Sequence, residues 1–440
     1  MVNGKDSPQL INDLLFPKIF QSFRMSIQPT KLIIAFLALA IICLVGWIMD
    51  FSKTVVATPG TKERLTELNI YMTNPAQMKS YFEGLKQKGE GVGVFSTLWH
   101  FESAKFHNAL KELFELNFAS MGKNIYSYFD AIGWALRYHT VYCIIFFVIS
   151  LAVISIFGGA ICRIAALQFS QGEKPGLTEA LRFSTKRFAS YFTAPFAPLG
   201  IIIFIGVFIF LLGLLGNIPR AGELIIGIGM PLALIAGALI ATIVIGAAAG
   251  FNLMFPAIAY DGSDCFDSIS RSFSYVYARP WRMLFYTLIT VVYGAICYTF
   301  VRFFAFLLLW VTRWFLDLGI WANNMTNKSD KLTAIWSKPE YMNLLGSGPV
   351  TSNWSETAGA FLVTIFLLVI VGLVVSFIIS FYFSASTIIY SLMRNKVDNT
   401  ALEDVYTHFD EEQTESSITE PDSEQSQPEQ ESQSPPPLEE

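Results

Sequence analysis

The chain has 440 residues, of which 53% are apolar and only 15% charged, with a formal net charge of −5 and a mean hydropathy of +0.47. Runs of roughly 20 apolar residues, each long enough to cross about 30 Å of hydrocarbon, produce that bias and exclude an ordinary soluble domain. Many acidic residues sit in the last forty positions and no Lys or Arg follows Lys396, so a basic surface for nucleic acid is excluded as well.

In chain order the pattern predicts an all-α integral membrane protein, a bundle of six transmembrane helices with interfacial amphipathic helices and a helical outer cap. Residues 1–31 read as a cytoplasmic amphipathic arm, with Leu14, Leu15, Ile19 and Phe23 beside Lys18 and Arg24. The first span, 32–50, follows too long an arm for a signal peptide and reads as an uncleaved anchor. Residues 51–138 form a helical segment in which Phe95, Trp99, Phe106, Leu110, Leu113 and Phe114 fall on three- and four-residue steps. Its expected place is a lid over the outer face. His100, Glu102 and His107 lie close together, but a step of seven from one histidine to the other misses the i, i+4 spacing of a helical metal site, and no metal is expected.

The second span is 139–162, and a cytoplasmic interfacial segment, 163–195, follows it. The third and fourth spans, 196–216 and 223–257, are separated by a short turn. The fourth carries Gly229, Ala233, Gly237, Ala241, Gly246 and Gly250, a stripe of small residues suited to close helix packing. A second cytoplasmic segment, 258–282, precedes the fifth span at 283–306. The chain then stays apolar to about Trp321, and the excess is expected to bend into the outer interface over 307–358. There Trp310, Trp314 and Trp321 form an aromatic belt. The sixth span is 359–393, and an acidic, proline-rich tail, 394–440, is too polar to offset its chain entropy and is expected to be disordered. Five cysteines, Cys43, Cys143, Cys162, Cys265 and Cys297, show no C-x-x-C spacing and read as small apolar fillers.

Orientation follows from the short loops, because Lys and Arg are retained on the cytoplasmic side. Lys18, Arg24 and Lys31 precede the first span. Arg163, Lys174, Arg182, Lys186 and Arg187 follow the second, Arg271, Arg279 and Arg282 follow the fourth, and Arg394 and Lys396 follow the sixth. Both termini are therefore expected in the cytoplasm, at the cell inner membrane.

The two cytoplasmic segments are related. Aligning Leu177 with Phe266 brings Ala180 onto Ile269 and Arg182 onto Arg271, and each copy leads through a proline into the next span. In the first copy Leu177, Ala180, Leu181, Ser184 and Phe188 share a face opposite Arg182 and Lys186. In the second, Phe266, Ile269, Phe273 and Tyr277 share a face, Asp267 and Arg271 pair at i, i+4, and Asp264 is placed as an N-cap. Such helices are expected in the headgroup plane with their cations toward anionic lipid headgroups. Two readings stay open: braces for the bundle, or a coupling surface for a membrane or cytoplasmic protein partner.

Asp261-Gly262-x-Asp264-x-Phe266-Asp267-x-Ile269-Ser270-Arg271-Ser272, then Tyr275-Val276-Tyr277-x-Arg279-Pro280-Trp281, with Phe16-Pro17-Lys18-Ile19-Phe20 ahead of the first span, resemble a group of uncharacterised bacterial multi-pass membrane proteins. A looser similarity extends to the membrane domain associated with glycerophosphodiester phosphodiesterases. The resemblance covers about a third of the chain and implies architecture; no catalytic residue transfers with it.

No carboxylate falls in the interior of a predicted span, which disfavours ion-coupled transport. Arg302 is the one cation well inside an apolar run, and from the outer end of the fifth span its stem can snorkel to the headgroups. No Walker loop, H-E-x-x-H or G-x-S-x-G occurs, and Glu179-Ala180-Leu181 is only a partial echo of a permease signature. The expectation is a non-catalytic, cofactor-free membrane protein that organises lipid or a membrane complex, with a transporter or permease subunit as the alternative.

Overall fold

The computed structural model describes residues 15–57, 66–75, 80, 81, 84, 90–320 and 331–406. Trp321, residues 1–14 and the tail from residue 407 lie outside the described residues. The longer helices are α1 (Pro29–Met49), α2 (Val94–Phe114), α3 (Phe118–Tyr138), α4 (Thr140–Ser170), α5 (Leu177–Lys186), α6 (Ala197–Leu215), α7 (Gly222–Asp261), α8 (Cys265–Ala278), α9 (Pro280–Gly319) and α10 (Trp354–Val397). Six of them, α1, α4, α6, α7, α9 and α10, are long and apolar enough to cross a membrane. A two-stranded antiparallel ribbon pairs Val55–Ala57 with Glu90–Val92.

Several helices outrun their expected spans. α9 has 40 residues and continues through the expected break near residue 306, because no proline or glycine interrupts it between Gly294 and Gly319. α7, also 40 residues, runs through Pro231 and Pro256. The extra length of α4, α7 and α10 lies at the end of the bundle where α5 and α8 pack, and the largest apolar clusters gather there. The amino-terminal arm is part of that core. Ile19 and Met25 are fully buried, and the Phe20 ring meets Tyr293 edge-on at 4.9 Å. Lys31 also turns inward, its amine on Gln168 Oε1 (2.9 Å) and Ser384 Oγ (3.4 Å), because α4 and α10 supply acceptors at that level.

The two related segments are built alike. Each begins where a glycine in the left-handed region ends a long helix, Gly172 (φ 76°) after α4 and Gly262 (φ 63°) after α7. A Cβ there would strain the backbone, which is why glycine closes both helices. α8 starts as expected, with Asp264 Oδ1 accepting from Asp267 N at 2.8 Å. Ser268, Ile269, Ser272, Tyr275 and Val276 point into the bundle, while Phe266 and Tyr277 are 64% and 45% exposed. In α5, Ala180, Phe183 and Ser184 are buried. The serines and Ala180 let these helices approach the bundle closely.

The small-residue stripe of α7 serves two contacts within the chain. A Cβ on Gly246 would touch Phe273 and Tyr277 of α8, one on Gly250 would touch Ser272, and one on Gly229 would collide with Leu212 of α6. Gly237 has open space around it and Ala241 is exposed. Gly246→Leu is expected to push α8 off α7, lowering thermal stability in detergent, whereas Gly237→Leu should leave it unchanged; a melting comparison of the two variants checks this.

Two expectations are corrected. The outer segment is helical but forms no cap. α2 starts against the end of α1, where Asp50 accepts from Phe95 N (2.9 Å) and Ser96 N (2.8 Å). It then runs back along the bundle, so that Phe106 and Leu110 pack toward α9 and α10, and α3 returns beside it. The apolar stripe of α2 finds a better partner on the flank of the bundle than on its end. The tail is ordered further than composition suggested. Residues 399–406 fold back on α7, with Tyr406 N on Tyr260 O (3.0 Å), Tyr260 Oη on Leu402 O (2.7 Å) and Val405 buried. Leu402 and Val405 are the apolar anchors that make this segment unlike the acidic stretch after it.

Candidate functional site

α9 carries Arg302 near the middle of its length, on the face turned toward α2. The side chain is only 7% exposed. It does not snorkel; it is held inside by acceptors from three directions. Nε donates to Tyr341 O (3.0 Å) and Nη2 to Met342 O (2.9 Å). Nη1 donates to Tyr298 Oη (2.9 Å) and to His107 Nε2 of α2. His107 Nδ1 lies 2.6 Å from Ser103 O, which can only accept, so the ring proton belongs on Nδ1 and Nε2 is left as the acceptor. A guanidinium has five N–H donors, and four here meet neutral groups. Among the described residues no carboxylate pairs with this cation.

The Tyr341 and Met342 carbonyls come from an irregular segment between Ile335 and Trp354 that folds in between α9 and α10. Backbone without helical hydrogen bonds is tolerated at such depth only where protein encloses it. Leu332, Trp336 and Leu344 are buried against Leu309 and Leu367. Arg313 Nη1 donates to Trp336 O and Nη2 to Thr333 Oγ1 (3.1 Å), while Val350 N returns to Ala334 O (3.0 Å).

Directly beside this cluster, α2, α3, α7, α9 and α10 line a half-open cavity of about 440 Å³. That volume and an almost wholly apolar wall are in the range of sites that bury small ligands. Phe106, Leu110 and Phe377 line it, and Tyr298 joins the wall to Arg302. From Thr287 to Tyr298 the cavity follows α9 for about 16 Å at 1.5 Å per residue. Asn252, Thr287 and Ser386 border the end nearer α8, and the Thr290 hydroxyl is buried without a partner among the described residues.

No protein-family model, curated protein or solved structure matches the chain.

The residues singled out from the sequence lie elsewhere. Arg182 and Lys186 are exposed on α5. Arg271 bonds Asp267 (2.9 Å) and also Asp261 (3.4 Å), whose carboxylate reaches Arg394 as well (3.2 Å). Tyr390 Oη donates to the same carboxylate. Burial works against the Arg271 charge, but Asp261 and Asp267 outweigh it and hold the guanidinium above its ordinary range. Burial, and then donation to Asp398, push the Tyr275 hydroxyl upward. This network ties α7, α8 and α10 together and leaves little of Arg271 for a headgroup. Trp310 and Trp314 are half-exposed on α9. His100 is exposed, Glu102 hydrogen-bonds Tyr128, and His107 serves Arg302, so the three do not converge. Sequence reasoning noticed Arg302 alone; the only sign of its company was His107 beside Phe106 on the apolar stripe of α2.

Proposed function

We propose that the chain is a non-catalytic, multi-pass protein of the cell inner membrane that holds a membrane lipid, with an acyl chain in the α2–α3–α9–α10 cavity. The cavity carries this reading, because a wall of Phe, Leu and Ile bordered by a few polar groups suits an amphipathic molecule. Both termini are placed in the cytoplasm by the Lys and Arg of the connecting loops. Tags at Asn217 and Ser263 should then report opposite compartments; the same compartment for both removes the six-span topology. Filling the cavity with Ala109→Trp is expected to reduce co-purifying lipid, seen by native mass spectrometry, at least about tenfold, a loss of about 1.4 kcal/mol in affinity. Lipid retained at the wild-type level by that variant rules out the cavity.

A transporter is the second reading. Two observations favour it, the irregular segment and an arginine at mid-length of α9 with no carboxylate partner among the described residues, features that substrate paths use. A substrate-dependent rise in melting temperature, or an ATPase co-purifying through α5 and α8, promotes this reading.

A further inference from the structure

We infer that the lipid held in the cavity carries an anionic headgroup and that Arg302 reads its charge. This deepens, and rests on, the lipid-holding function proposed above. Arg302 is a buried cation whose partners are two carbonyls, a tyrosine hydroxyl and a neutral imidazole nitrogen, with no carboxylate among the described residues. An ion in a poorly polarisable interior is normally paired, because neutral dipoles do not cancel its charge. Arg302 and His107 do not themselves line the cavity, but their shared partner Tyr298 does. Tyr298 lies in the cavity wall and accepts from Arg302 Nη1, and the two side chains are one helical turn apart, about 6 Å along α9.

The fit is that of an amphiphile. Its chain occupies the apolar length between Phe377 and Leu113, and its anionic oxygens take the place of neutral acceptors around Arg302. His107 is the adaptable partner. Its Nε2 accepts only because Ser103 O holds the proton on Nδ1, so an incoming anion can relieve it of the Arg302 bond without leaving the ring unsatisfied, since Tyr298 Oη is 3.1 Å away. A zwitterionic lipid brings its own cation to the same place and loses that advantage.

The test uses the full chain in detergent, titrated with phosphatidic acid and with phosphatidylcholine of identical acyl chains and followed by native mass spectrometry. Wild type is expected to bind phosphatidic acid at least about tenfold more tightly, and Arg302→Gln to lose that preference. Equal affinities in wild type overturn the charge-reading role and leave the lipid-holding function standing, as does a full anionic preference in Arg302→Gln. Binding of neither lipid overturns both. A phosphatidic acid with a photoreactive group near its phosphate provides a second measurement that needs no variant. Labelling of peptides containing His107 or Tyr298–Arg302 is the expected result, and labelling confined to the Lys- and Arg-rich loops overturns the assignment.

Discussion

Asp261→Ala is expected to be among the most damaging single substitutions in the chain. Its carboxylate is 7% exposed and meets Arg271, Arg394 and the Tyr390 hydroxyl, so removing it leaves two guanidinium groups without the carboxylate they share. Breaking a buried ion pair from one side costs about 3–5 kcal/mol. Arg394 also holds Asp404 at 2.9 Å, and the loss should therefore spread to residues 399–406. Chemical denaturation in mild detergent checks the magnitude, and proteolysis near Leu402 checks the spread. Arg182→Ala on exposed α5 is the control and should stay within about 0.5 kcal/mol of wild type. Equal stability of Asp261→Ala and Arg182→Ala would show that the network does not hold the bundle.

The second large effect concerns Arg302→Leu. Leucine fills much of the space, but the Tyr341 and Met342 carbonyls then lose their donor together. An unsatisfied buried acceptor costs about 1–3 kcal/mol. The irregular segment has few other anchors, chiefly Arg313 on Trp336 O and the Val350–Ala334 bond, and should open. Amide exchange over 336–350 is expected to rise sharply, with a smaller rise in α2, while α4 and α7 stay protected. Uniform protection across the chain would mean that Arg302 does not staple these elements.

The spans were legible because solvation by hydrocarbon imposes a length and an apolar content that composition reveals directly. The Asp264 cap and the Asp267–Arg271 pair were legible for a local reason, since both partners sit within one turn of each other. What stayed hidden depends on partners far apart in sequence. The stripe of Phe106, Leu110 and Leu113 announced a buried face but not what would cover it, and the bundle flank competes with its outer end. For α8 the shared face of Phe266, Ile269, Phe273 and Tyr277 did not reveal that Ser268, Ser272, Tyr275 and Val276 would pack against the bundle, because those contacts come from distant α7 and α10. Arg302 could be seen as anomalous, but nothing near it in sequence names Tyr341 or His107 as its acceptors.

The course of α2 has a consequence for how the molecule is made. Phe106, Leu110 and Leu113 leave the ribosome well before Phe377 and Phe381, against which that flank finally rests. During synthesis the hairpin must therefore wait, loosely tethered by the Asp50 cap at its base, until the last helix has been made. Chains truncated after α9 should consequently keep α2 and α3 open to protease, and closure should coincide with the docking of α10.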